Sequence, residues 1–159
     1  PKVHFQTAFG PFSIAAKDFD GDGKIDLATA NFYSSTVSVL RNISVTDEIN
    51  FEMRREYVVG RLPSSIAGGD LNGDGKDDLA VSNFRSNDVS VLKNTSLAHG
   101  MIRFDAQTET AITGRTPFSI AAGDFDGDGR RDLATANFNS NNITVLRNTS
   151  VASGESSFD

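Results

Sequence analysis

The sequence returns three times to one acidic loop, and this repetition limits the possible folds more than any other feature. Side chains bearing oxygen stand at loop positions 1, 3, 5 and 9. In the first copy these are Asp18, Asp20, Asp22 and Asp26. The second has Asp70, Asn72, Asp74 and Asp78, and the third Asp124, Asp126, Asp128 and Asp132. Glycines at positions 4 and 6 permit the positive φ that such a tight turn needs. The spacing suits a hard cation that takes six to eight oxygens at about 2.3–2.6 Å. Position 7 (Lys24, Lys76 and Arg130) is expected to add its backbone carbonyl. An Asp/Gly hairpin turn that holds nothing is the plain alternative. Four like charges converging in one turn, three times over, argue for an ion. The expectation is three Ca²⁺ per chain, with the middle site weakest because Asn72 replaces a carboxylate.

A helix-flanked loop of this type closes with a bidentate Glu at position 12. Here position 12 is Thr29, Val81 or Thr135, and no helical apolar stripe follows. The loops are therefore expected between strands.

The first two loops start 52 residues apart and the second and third 54 apart, and residues 11–45 match 117–151 at 26 of 35 positions. Each unit divides into four short runs of strand character. The third run alternates strictly: Thr36-Val37-Ser38-Val39-Leu40, Asp88-Val89-Ser90-Val91-Leu92 and Asn142-Ile143-Thr144-Val145-Leu146. Four antiparallel strands every fifty-odd residues is the pattern of a propeller blade. The Ala and Gly of each first run suit strands crowded around a central channel. The fold class is all-β, three four-stranded propeller blades. A β-sandwich with a quasi-repeated sequence is the alternative.

The run Pro11-Phe12-Ser13-Ile14-Ala15 leading into Asp18-Phe19-Asp20-Gly21-Asp22-Gly23 and then Asp26-Leu27-Ala28 resembles the FG-GAP (VCBS-type) repeats of integrin α-subunit propellers, bacterial surface proteins and some fungal lectins. The resemblance covers nearly the whole chain. It implies a propeller with calcium in the hairpin between the first two strands of each blade. Such propellers commonly have seven blades, and three do not close a ring.

The phase of the repeat suggests how a ring is completed. Residues 1–10 take the place of an outer strand of a neighbouring blade; 11–60, 61–114 and 115–159 form three blades within one repeat domain. The third lacks most of its outer strand. Phe158-Asp159 matches Phe51-Glu52 and Phe104-Asp105, where that strand begins. Two chains exchanging strands would make six blades, within the usual four to eight. The alternative is a fragment of a larger propeller, consistent with Pro1 standing where an initiator Met would be.

Eleven of the 21 acidic residues stand at loop positions 1, 3, 5 and 9, and the 15 Lys and Arg of the chain outnumber the remaining ten acids. The net charge of −6 is thus a property of the loops rather than the mark of a basic partner. Arg54-Arg55 and Arg130-Arg131 are too isolated for a nucleic-acid interface. There is no cysteine and no apolar run long enough to span a bilayer. His4 and His99 have no repeated partner, and the loop aspartates are committed to a cation. No catalytic site is expected. The sequons at Asn42, Asn94 and Asn148 read as turn formers rather than glycosylation sites. A fourth sequon lies at Asn142.

The turn between second and third strands carries a fixed Asn-Phe pair followed by Tyr33, Arg85 or Asn139, beside links that carry Arg61 and Arg115. Different side chains on one repeated frame suit a ligand face. The expected function is a calcium-binding extracellular or cell-surface module for recognition or adhesion, with a glycan or protein ligand. The alternatives are an accessory propeller of a larger secreted enzyme and a lectin with sugar pockets between blades. Loop sites in extracellular modules bind weakly, about 10⁻⁴–10⁻³ M, and fill only where calcium is abundant.

Overall fold

The structure is a computed structural model, and it describes residues 2–97, 100–105, 108–111, 114–151 and 156–159. His99 and the end of the expected Ile102–Ile112 run lie outside them. Eleven strands build three antiparallel sheets, and no helix occurs among the described residues. β1 (Pro11–Lys17), β2 (Asp26–Asn31), β3 (Thr36–Leu40) and β4 (Arg55–Val58) lie in sequence order in the first sheet. β5 (Pro63–Gly69), β6 (Asp78–Asn83), β7 (Asp88–Leu92) and β8 (Thr108–Ala111) repeat that order in the second. The third sheet contains β9 (Pro117–Gly123), β10 (Asp132–Asn137) and β11 (Asn142–Leu146).

Short connections pair the first three strands of each sheet with their neighbours in sequence. The acidic loop joins the first two strands, and a four-residue turn joins the second and third. Its last residue takes positive φ in every copy: Ser35 (56°), Asn87 (63°) and Asn141 (53°). The register also repeats. Leu27 lies opposite Leu40, Leu79 opposite Leu92 and Leu133 opposite Leu146.

The sheets stack, with β1 beside β5 and β5 beside β9. Gly68 and Gly69 leave room there for Lys17 and Arg131 of the adjoining sheets. Two cores fill the stack. Phe19, Val37 and Val39 of the first sheet pack on Ile66, Leu79, Val81 and Phe104 of the second. Leu71, Val89 and Val91 then pack on Ile120, Leu133 and Leu146 of the third. Stacking explains a departure from the half-buried strands that strict alternation predicts. Ser38 and Ser90, on the polar phase, are fully buried. Their hydroxyls accept from Asn31 Nδ2 and Ala8 N–H, and from Asn83 Nδ2 and Gly60 N–H.

Residues 3–9, expected as an outer strand, carry no ladder. They lie on the first sheet. There they follow the path of the inter-sheet links. Phe9 N–H donates to Ser34 Oγ as Arg61 N–H does to Ser86 Oγ, and Gly10, Leu62 and Thr116 all have positive φ. At the other end, Asn148 bridges Phe158 as Asn42 bridges Phe51 and Asn94 bridges Phe104.

Candidate metal loops and the opposite aromatic face

Each acidic loop is tied by its own first residue. Asp18 Oδ1 accepts from the amides of Gly21 and Asp22, at 2.8 and 3.1 Å, and Oδ2 accepts from Gly23 at 2.8 Å. Asp70 and Asp124 take the corresponding glycine amides. The glycines at positions 4 and 6 have φ between 73° and 86° in all three loops, a region costly for residues with a Cβ. At position 7 the amides of Lys24, Lys76 and Arg130 donate to Asp22, Asp74 and Asp128.

These bonds gather carboxylates. Oxygens of Asp18, Asp20 and Asp22 lie within 4.8 Å of one another, and so do those of Asp124, Asp126 and Asp128. Two oxygens on opposite sides of a calcium ion, each about 2.4 Å away, would be about 4.8 Å apart. The clusters therefore fit one such ion in size. The first is part-buried and the third exposed. In the middle loop Asn72 Nδ2 donates to Asp74 Oδ2 at 3.3 Å.

An arginine that sequence reasoning missed completes the first and third clusters. Arg41, at the end of the first sheet's third strand, places Nε 2.6 Å from Asp20 Oδ2 and Nη2 2.8 Å from Asp22 Oδ2. Arg147 places Nε 2.7 Å from Asp126 Oδ2. Burial alone would raise the Asp20 pKa, but the Arg41 hydrogen bond and charge, with the Gly100 amide, hold it below the usual range. Asp126 is held low chiefly by Arg147. The signal for these arginines was present within the repeats. Arg41 and Arg147 accompany Asp20 and Asp126, while the copy with Asn72 has Lys93 in that place.

The first loop sets three carboxylates against Arg41, the second has two carboxylates and Asn72, and the third sets three carboxylates against Arg147 and Arg130, whose Nε lies 3.6 Å from Asp128 Oδ2.

Position 9 departs from the expected ligand set. Asp26, Asp78 and Asp132 are 0%, 0% and 2% exposed and stand outside the clusters. In each, Oδ2 accepts from the amide of Phe19, Leu71 or Phe125, and Oδ1 from that of Asn42, Asn94 or Asn148, all at 2.7–3.0 Å. These carboxylates brace the loop to the end of the third strand. Burial raises the pKa of Asp26 and Asp78 to about 6 against their two amide bonds. The sequon asparagines belong to the same brace. Asn94 Nδ2 donates to Phe19 O and Asp77 O, and Asn148 Nδ2 to Leu71 O and Arg131 O, so each ties its sheet to the preceding loop. Both are buried.

The expected ligand residues gather on the face opposite the loops. Tyr33, Arg85, Asn139, Arg61 and Arg115 are all exposed. Arg85 N–H donates to Arg61 O, and Asn139 N–H to Arg115 O. An aromatic row accompanies them. Ring centroids link Phe9 to Tyr33, Tyr33 to Phe32, Phe32 to Phe12, Phe12 to Phe118 and Phe118 to Phe138, at 5.2–6.3 Å. Phe84 bridges Phe32 and Phe118 at 6.1 Å from each. Ser64 stands where the other units have Phe12 and Phe118, and it bonds Pro117 O.

Three all-β units, each an antiparallel sheet with an acidic first hairpin, define a β-repeat protein. A family model described as FG-GAP-like repeat matches residues 18–81 and again 70–135, and the chain belongs to this family. No curated protein sequence matches it.

Proposed function

We propose that this chain is a non-catalytic, calcium-stabilised propeller module for extracellular recognition, with a glycan as its ligand. The observation that carries the calcium reading is the gathering of carboxylates: oxygens of Asp18, Asp20 and Asp22, and of Asp124, Asp126 and Asp128, lie within 4.8 Å of one another, a spacing that suits one ion. Asp18, Asp20 and Asp22, and their counterparts Asp70, Asn72, Asp74 and Asp124, Asp126, Asp128, would hold the ions. Calcium bound there supplies the positive charge that keeps each hairpin closed, and it takes no part in bond making.

The exposed aromatic row favours a glycan. Aromatic rings cover the apolar faces of sugar rings at low conformational cost. The flanking Arg61, Arg85, Arg115 and Asn139 offer donors for hydroxyl groups. The weak affinity typical of such loops places the module where calcium is plentiful, outside the cell or on its surface.

Calorimetry with CaCl₂ should find three sites per chain, and EGTA should lower Tm. Finding no site would refute the metal reading. A glycan array probed with this chain should show calcium-dependent binding that Tyr33→Ala weakens. Binding to proteins alone would replace the glycan by a protein ligand on the same face.

A further inference from the structure

The apolar contacts between neighbouring sheets occur twice within the chain, and their two halves stand exposed at the ends of the stack. The outgoing face of the first sheet presents Val37 and Val39, and that of the second Val89 and Val91, all 0–3% exposed. Their counterparts on the third, Ile143 and Val145, are 70% and 48% exposed. In the loops Phe19 and Leu71 are buried, whereas Phe125 is 54% exposed. The incoming face shows the reverse. Ile66 and Ile120 are 6% and 7% exposed, but Ile14 is 60%.

Polar groups repeat the pattern. Asn94 and Asn148 each reach the loop of the preceding sheet, at Phe19 O and Leu71 O. Among the described residues Asn42 Nδ2 donates only to Ile25 O, within its own sheet.

The N-terminal segment already occupies part of an incoming neighbour's place. Phe5 packs edge-on against Phe51, centroids 5.0 Å apart, as Tyr57 of β4 packs against Phe104 at 5.5 Å. Ala8 and Phe9 bond Ser38 and Ser34 as Gly60 and Arg61 bond Ser90 and Ser86. Residues 3–6 thus stand where the fourth strand of a preceding sheet would end, and no strand pairs with the outer edge of β11 among the described residues.

We propose that the outgoing face of the third sheet takes a second copy of this chain head to tail. Ile143, Val145 and Phe125 would cover the partner's incoming face at Ile14. Residues 3–6 of that second copy would add to β11 as its fourth strand. By the register of β3 with β4, where Val37 opposes Tyr57, Ile143 would oppose Phe5. Asn42 of the second copy would reach Phe125 O. Two chains joined at both ends close a ring of six sheets, within the range of propellers, and a heterologous contact that closes is self-limiting. The partner is a second copy because both faces are already matched to each other within the chain.

Sedimentation velocity across a concentration series tests this without reference to calcium or glycan binding. The unaltered chain should give the mass of two chains. Ile14→Arg alters only the incoming face and Ile143→Arg only the outgoing one, both at exposed positions where the fold, checked by circular dichroism, should hold. Each variant alone should lose the closed assembly. An equimolar mixture should form a 1:1 complex through the one intact pair of faces, and the double variant should stay monomeric. A monomeric unaltered chain, or single variants that associate as it does, would overturn the proposal.

Discussion

At the scale of the residue, the three copies serve as controls for one another. Asn31 and Asn137 are buried at the end of a second strand, where their Oδ1 accepts from Thr29 and Thr135 at 3.0 and 3.2 Å. The second copy has Val81 instead, and Asn83 Oδ1 is left buried without a hydrogen bond. A buried acceptor without a partner costs about 1–3 kcal/mol. Val81→Thr should therefore stabilise the chain, raising Tm by about 2–4 °C per kcal/mol recovered at this size. Thr29→Val should lower it by a like amount, and thermal unfolding of the two variants checks both signs. A second residue-scale expectation follows from Asp26 and Asp78. Burial raises their folded pKa to about 6 from 3.8. Between those values the folded chain binds more protons than the unfolded one, so stability falls as pH rises through the window. In EGTA, Tm should increase as pH is lowered from 6 towards 4. It should drop again below that as Asp20 and Asp126, held low beside Arg41 and Arg147, take up protons. A Tm that falls steadily from pH 6 downwards would show that the position 9 carboxylates are not the buried braces described.

At the scale of the element, the acidic hairpin was legible in part. Its glycines, strand flanks and clustered carboxylates at positions 1, 3 and 5 follow from side-chain spacing along one turn, which the sequence displays directly. The role of position 9 does not follow. Ligand and brace use the same residue type, and the choice depends on the amides of Phe19 and Asn42, one of them 16 residues along the chain. Arg41 was missed for a related reason, since it reaches Asp20 from the far end of the third strand. Residues 3–9 form no ladder within the chain because a strand is a property of two edges, and the sheet they lie on offers none. Arg41 also sets a test of the loop. Arg41→Ala leaves the Asp20 carboxylate without its guanidinium, with only the amides of Asp22 and Gly100 as donors, a destabilising change in a part-buried pair. Without calcium this variant should melt well below the parent chain. Because its first cluster then carries −3, the rise in Tm on adding calcium should exceed the parent's. An equal or smaller rise would mean that Arg41 orients the ligands rather than balancing their charge.

At the scale of the whole molecule, the stack behaves as a short one-dimensional array in which each sheet rests on its neighbour. In such arrays stability is close to the sum of unit terms and interface terms. The two interfaces here are separate clusters, the first centred on Phe19, Val37 and Phe104 and the second on Leu71, Val89 and Leu133. Loss of one should uncouple the units on either side of it without melting the rest. Leu71 is the sharpest probe. It is 1% exposed, belongs to the loop of the second sheet, and packs into the third beside Phe158. Its carbonyl also accepts from Asn148 Nδ2 and Ser150 Oγ, bonds that a side-chain change leaves in place. Leu71→Ala should cost about 2–5 kcal/mol by the usual range for buried Leu→Ala changes. That cost should fall on one interface. Native-state hydrogen exchange should show amides of β9, β10 and β11 losing protection together, while β2 and β3, sealed by the first interface, keep theirs. Uniform loss of protection across all three sheets would show that the chain unfolds as a single cooperative block. The units would then owe their order to the whole stack rather than to nearest neighbours.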